Sequence, residues 1–171
     1  ETEQMIARAE GQGVEIIVFP ELSITGYTCQ DLFRQQLLLD VAEQSVLMLL
    51  DFTRQLDIIT IVGVPVQVGM ILLNCAVVIQ KGEILAVIPK TYLPNYSEFY
   101  EKRWFASSQD IIEKRIDIFD SKNILFTNKR QVFEDENGIK FGIEICEDLW
   151  SPIPPSNHLT LDGADIIFNL S

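Results

Sequence analysis

Cys146 closes the run Gly138 to Ile145 and opens the segment Cys146-Glu147-Asp148-Leu149-Trp150. Phe141, Ile143 and Ile145 alternate with polar or small residues, as in a half-buried strand. A thiol released from such a strand into an acidic, Trp-bearing loop has the placement of a nucleophile. Two more charged residues follow apolar runs in the same way, Glu21 after Glu15 to Pro20 and Lys90 after Glu83 to Pro89. Open α/β sheets carry their sites at the carboxyl ends of strands, so these three ends point to one site. Together they supply the parts of thiol acyl transfer. A carboxylate takes the thiol proton and later activates water. An ammonium lowers a thiol pKa and stabilises the oxyanion of a tetrahedral intermediate. The lysine is needed because Glu144, Glu147 and Asp148 flank Cys146, and like charge raises a thiol pKa. Singly, each residue also has an inert reading, as a buried cysteine, a loop carboxylate and a surface lysine. Two rival readings use the same residues. Cys146 could draw on His158, the single histidine, with Asn169, or the motifs could serve only to hold together a docking module.

The elements that must position these groups follow from periodicity. Met5, Ile6 and Ala9 give a helix over Glu3 to Ala9, stopped by Gly11 and Gly13. Glu15 to Phe19 is a short buried strand, and Pro20 to Tyr27 a loop. Asp31 to Leu56 is helical with a break expected near Asp40, and Val46, Leu47, Leu49, Leu50 and Phe52 are expected in the core. Ile58 to Val68, Ile71 to Gln80 and Glu83 to Ile88 are strands joined at Gly69 and Lys81-Gly82, hence antiparallel neighbours. Thr91 to Phe105 is irregular and aromatic, and Ser107 to Phe119 is a short helix or a mobile loop. Ile124 to Glu134 and Ile139 to Ile145 form a hairpin about Glu136-Asn137-Gly138. A helix from Pro154 to Asp162 and a strand from Asp165 to Leu170 complete the chain.

Composition bounds the rest. With 171 residues and 47% hydrophobic content, the chain can form one domain with a substantial core. Its net charge of −12 argues against nucleic acid and anionic membranes as partners. No apolar run is long enough to span a bilayer. Three separated cysteines, Cys29, Cys75 and Cys146, make a disulfide framework improbable and fit a reducing, cytoplasmic setting. One histidine and no Cys/His cluster argue against zinc, so no metal ligands are assigned. The chain lacks a starting Met, and its helix-to-strand opening suggests that a strand precedes it.

Three segments carry a resemblance to the nitrilase superfamily of carbon-nitrogen hydrolases. Phe19 to Tyr27 resembles its glutamate motif, Lys90 to Tyr96 with Phe99 and Glu101 its lysine motif, and Gly142 to Trp150 its cysteine motif. Asp31-Leu32-Phe33 after Tyr27, Leu93-Pro94-Asn95-Tyr96 and Cys146-Glu147-Asp148-Leu149-Trp150 are similar to the glutaminase domains of glutamine-dependent NAD synthetases. The match runs from about Glu15 to Ser171, in the family's order.

The resemblance implies an α-β-β-α sandwich, truncated at both ends, with residues 1–171 a partial glutaminase (amidotransferase) domain and the synthetase domain absent. It implies that Cys146 attacks the side-chain amide of L-glutamine, forming a thioester and releasing ammonia for a C-terminal synthetase domain that converts deamido-NAD to NAD. Glu21 is then the general base, Lys90 the oxyanion stabiliser, and Tyr96 a glutamine contact, with Tyr27 and Glu147 lining the pocket. Glu101 is the second, structural glutamate, with Glu98 its competitor. The glutaminase step needs no cofactor, whereas ATP and magnesium are implied for the synthetase domain. A homo-oligomer is expected. Two glutamine-contacting residues of the family fall beyond Ser171, so residues 1–171 alone are expected to turn over slowly. Another nitrilase-type amidase is the alternative activity. Lys90→Met is expected to abolish turnover with the fold left intact.

Overall fold

The structure, a computed structural model, describes residues 1–171. Its elements in chain order are α1 (Thr2–Gly11), β1 (Ile16–Val18), α2 (Gln36–Phe52), β2 (Ile59–Val68), β3 (Ile71–Gln80), β4 (Glu83–Pro89), β5 (Lys114–Ile118), β6 (Ser121–Phe126), β7 (Val132–Glu134), β8 (Lys140–Ile145), α3 (Pro155–Leu161) and β9 (Ile166–Leu170). One sheet has the order β1-β2-β3-β4, with β1 parallel to β2 and the rest antiparallel. A second has the order β7-β8-β9, with β9 parallel to β8. β5 and β6 form a separate hairpin.

Two covered faces explain why β2 and β3 read as continuous apolar runs. Val62, Val64, Val66, Leu73, Cys75 and Val77 face one way and pack against Ile6 of α1 and Ala42, Val46 and Leu49 of α2. Ile59, Ile61, Ala76, Val78 and Ala86 face the other way and meet Phe141, Ile143, Ile145 and Leu170 of the second sheet. Leu159 of α3 lies on Gly142 of β8, where a Cβ would strike it at 2.9 Å. The layers are therefore α-β-β-α, as the resemblance implied. The tight turn at Lys81-Gly82 has both residues at positive φ, 51° and 76°, the geometry that matches strand twist.

Three boundaries differ from the sequence reading. The helical stretch breaks at Gln35 (φ −92°, ψ 123°) and not at Asp40. Tyr27 to Arg34 forms irregular 3-10 turns. Asp40 sits on the exposed face of α2, where its carboxylate accepts from Gln36 Nε2 at 2.8 Å and interrupts nothing. Of the expected core residues, Val46, Leu49 and Leu50 are buried, while Leu47 and Phe52 pack at the core's edge. Ser107 to Phe119 is helical only over the single 3-10 turn Ser108–Asp110. After a turn at Ser108–Asp110 it forms β5, whose Ile116 and Ile118 alternate with charged residues and pack on the core. Ile124 to Glu134 is not one strand, because Thr127 turns the chain. Its hydroxyl accepts from Lys129 N at 3.0 Å and donates to Glu113 at 2.8 Å, so only Val132–Glu134 reaches β8. That hairpin turns over Asp135 to Ile139, where the Asp135 carboxylate accepts from Asn137 N and Ile139 N.

Candidate active site

The carboxyl ends of β1, β4 and β8 deliver Glu21, Lys90 and Cys146 to one region. Glu21 arrives on a loop stitched to β2. Phe19 N donates to Ile61 O, Ile24 N donates to Gly63 O, and Ser23 Oγ accepts from Gly63 N. Gly63 is required here because a Cβ at that position would lie 2.6 Å from Pro20 O, inside the loop's own backbone. Lys90 continues β4 and is anchored by its N–H to Asn74 O at 2.8 Å.

Lys90 is 0% exposed. Its Nζ donates to Glu21 Oε1 at 2.6 Å and to both oxygens of Glu101 at 2.8 and 2.9 Å. Tyr27 OH donates to Glu101 Oε1 at 2.9 Å, and Asn74 Nδ2 donates to Glu21 Oε1 at 2.7 Å. Glu101 is thus the carboxylate that holds the lysine, while Glu98 lies exposed. Burial by itself would drive the Lys90 pKa down, but Glu21 and Glu101 together outweigh it and leave the ammonium raised and charged. Burial raises Glu101, opposed by Lys90. Burial, then Glu101, pushes the Tyr27 phenol well above its ordinary range, so it stays a proton donor.

Cys146 sits at the strand-to-turn corner with φ +45°, a left-handed conformation that a non-glycine residue holds only when its surroundings enforce it. The enforcing group is Asp148. Its Oδ2 accepts from Ile145 N at 3.0 Å, and its Oδ1 accepts from Tyr92 N at 2.7 Å and Thr91 N at 3.1 Å. One carboxylate therefore ties the cysteine turn to the segment that follows Lys90. Burial raises the Asp148 pKa to about 6 from an ordinary 3.8, although those backbone donors oppose the rise. A raised carboxyl pKa stabilises the fold below pH 3.8, and that contribution is lost as pH rises through about 6. The difference in unfolding free energy between wild type and Asp148→Asn should therefore fall by about 2 kcal/mol between pH 4 and pH 7 in urea melts. A difference flat with pH would show that folding does not raise the Asp148 pKa.

The Cys146 thiol is pushed up, first by burial and then by Glu21; Lys90 pulls it down without cancelling the rise. This corrects the expectation that Glu144, Glu147 and Asp148 set its electrostatics. Glu144 points into the structure, accepting from Ser156 N at the start of α3 and from Asn169 Nδ2. Glu147 accepts from Tyr96 OH at 2.9 and 3.0 Å, at the exposed rim. Ser171 Oγ lies 3.7 Å from Cys146 Sγ. His158 makes no side-chain hydrogen bond, so no Cys–His pair forms, and Asn169 meets Cys146 at its backbone carbonyl, 3.4 Å away, and not at the thiol.

A cavity of about 490 Å³ opens beside the cluster and is lined by Pro20, Glu21, Ser23, Tyr27 and Ser171. A cavity of similar size, about 510 Å³, lies at the opposite strand ends among Glu10, Glu15, Asp57 and Glu134. Its lining has no cysteine, serine or threonine, and Cys146 lines neither cavity.

The arrangement can be placed among known proteins. The family model for carbon-nitrogen hydrolases matches residues 1–171. The chain belongs to that family. The glutamine-dependent NAD(+) synthetase of Mycobacterium leprae is 36% identical over 168 residues, covering 98% of this chain and 25% of the relative. A crystal structure of a glutamine-dependent NAD(+) synthetase from Cytophaga hutchinsonii superposes with a TM-score of 0.79 at 28% identity, covering 99% of this chain and 27% of that one. A mutant of the Nesterenkonia AN1 amidase, from the nitrilase superfamily, superposes with a TM-score of 0.72 at 20% identity over 98% of this chain and 56% of that one, which is a likeness of fold. The chain spans about a quarter of the length of the curated relatives it matches.

In this carbon-nitrogen hydrolase, sequence reasoning missed Asn74 and underrated Asp148. Asn74 had a signal, since it is the one amide in the otherwise apolar run Ile71 to Ile79. Asp148 had only its charge three residues past Ile145, because its other partners, Thr91 N and Tyr92 N, lie far away in the chain.

Proposed function

We propose that residues 1–171 form the glutaminase unit of a glutamine-dependent NAD synthetase. The observation that carries this reading is the buried Glu21–Lys90–Glu101 cluster set against Cys146. Cys146 Sγ attacks the side-chain amide carbon of L-glutamine while Glu21 takes the thiol proton. The Lys90 ammonium stabilises the developing oxyanion, and Glu101 keeps that ammonium charged and in place. The intermediate collapses as Glu21 returns the proton to the leaving nitrogen. Ammonia departs and a glutamyl thioester remains. Water, deprotonated by Glu21, hydrolyses the thioester to glutamate and regenerates the thiol. Because the resting thiol is held up by burial, the base acts during attack and not by storing a thiolate.

Tyr96, Tyr27 and Glu147 border the substrate in this reading, and the ammonia feeds a C-terminal synthetase domain that makes NAD from deamido-NAD. ATP and magnesium belong to that second step, and no residue of this chain is assigned to them. The protein is cytoplasmic and homo-oligomeric in this proposal. No helix is long and apolar enough to cross a membrane.

The test is labelling with a glutamine-mimicking diazoketone in the natural protein. Cys146 should be modified stoichiometrically, with protection by glutamine. Cys75 is fully buried with its thiol pushed up by burial, and Cys29 donates to Thr25 O, so both should be spared. Equal protection by simple aliphatic amides would favour a general amidase. No labelling of Cys146 would favour an interaction module.

A further inference from the structure

Asn74 is 1% exposed and sits in β3, where its backbone carbonyl holds Lys90 N at 2.8 Å and its Nδ2 donates to Glu21 Oε1 at 2.7 Å. One residue therefore fixes both the lysine and the carboxylate. Its own Oδ1 is buried without a partner. Exchanging the amide's oxygen and nitrogen would set oxygen against the Glu21 carboxylate, so the orientation follows from charge. An unpaired buried carbonyl costs stability, and an apolar side chain of the same size would avoid it. Such a residue points to a function other than folding.

The hydrogen bonds at Glu21 are one-sided. Oε1 accepts from both Lys90 and Asn74, and no nitrogen or hydroxyl donor reaches Oε2. Glu21 lines the cavity beside the cluster, so Oε2 is the oxygen left for the site. Glu101 shows the alternative on the same ammonium, where both oxygens close on Nζ at 2.8 and 2.9 Å. A carboxylate held by Lys90 alone would be free to turn into that two-oxygen grip.

We propose that Asn74 is a positioning residue for the base: its hydrogen bond to Oε1 stops Glu21 from closing both oxygens on Lys90 and so presents Oε2 to the Cys146 thiol. The proposal rests on the assignment of Glu21 as base. Asn74→Leu keeps the volume and removes the donor. In the natural protein, kcat for glutamine should fall by about tenfold to a hundredfold, since the base is displaced and not removed. KM should stay within about twofold, because Asn74 does not touch the substrate. The acidic limb of kcat/KM should move to higher pH, because a carboxylate that loses a donor is protonated more readily. The melting temperature should hold or rise, as a buried unpaired carbonyl is gone.

Asn74→Asp is the second variant. It sets a second carboxyl group against Glu21 and should move the acidic limb further upward. Unchanged kcat and an unmoved limb in Asn74→Leu would overturn the proposal. So would a lowered melting temperature with the limb in place, or unfolding of both variants, since either outcome assigns Asn74 to folding alone. Glu21→Gln, measured alongside, separates the two levels. If that variant retains turnover, the assignment of the base fails. If it loses turnover while Asn74→Leu behaves as wild type, only the role of Asn74 fails.

Discussion

Glu21→Gln should abolish glutamine hydrolysis and at the same time make Cys146 react faster with a small alkylating agent at neutral pH. The two effects have opposite sign because Glu21 does two things. As general base it receives the thiol proton during attack, a contribution worth about a hundredfold to ten thousandfold in rate. As a fixed negative charge it ranks second, after burial, among the causes that hold the thiol pKa up. Replacing the carboxylate with an amide removes both contributions. The Lys90 ammonium, still held by Glu101, then acts on the thiol with less opposition, and the thiolate fraction near pH 7 rises. Each whole step by which the thiol pKa falls is about a tenfold gain in thiolate. In the wild type, alkylation should keep rising with pH beyond the range of an ordinary thiol. In the variant that rise should come at lower pH. The measurement is the rate of iodoacetamide labelling at Cys146 across pH, beside ammonia release from glutamine. Slower labelling in the variant would mean that Glu21 does not set the state of the thiol.

Lys90→Met should remove turnover and also weaken the fold. The first effect follows from the proposed oxyanion role, where one stabilising group is worth about a hundredfold to a thousandfold. The loss should exceed that range, since the same ammonium also orders Glu21. The second effect revises what the sequence suggested. Lys90 is 0% exposed and is the only cation bonded to Glu21 and Glu101, so its removal leaves two buried carboxylates facing each other. Breaking a buried ion pair from one side costs about 3–5 kcal/mol. Adding Glu101→Gln to Lys90→Met should return much of that stability, because one of the stranded charges is gone, and should return no activity. Lys90→Arg should not rescue turnover. A planar fork does not fit a closed site built around a point charge. Urea melts and ammonia release measure the two effects separately. A Lys90→Met protein as stable as wild type would show that the carboxylates are solvated or protonated once the lysine is gone.

By itself the sequence determined most strands of the two main sheets and which three segments carry the reactive types. Period-two runs ending in Phe19-Pro20, Pro89 and Ile145 are local signals, and a strand end determines where the next residue emerges. Hence Glu21, Lys90 and Cys146 were legible as a group, and two covered sheet faces could be read from the unbroken apolar runs of β2 and β3. β5 was not legible: Ile116 and Ile118 alternate with charged neighbours, but so short a run reads equally as a helix turn or a loop until β6 pairs with it. Tertiary structure alone decided the electrostatics. Glu144, Glu147 and Asp148 adjoin Cys146 in the chain, yet their carboxylates are taken up by Ser156 N, by Tyr96 OH and by the backbone of Thr91 and Tyr92. The charges that act on the thiol come from Glu21 and Lys90, far away in the chain. Gly63 and Asn74 gained their roles in the same way, from a loop crossing one and a carboxylate reaching the other. Periodicity records which face a residue presents; whether a charge meets solvent, a backbone donor or an opposite charge is decided by distances that only the packed sheets create.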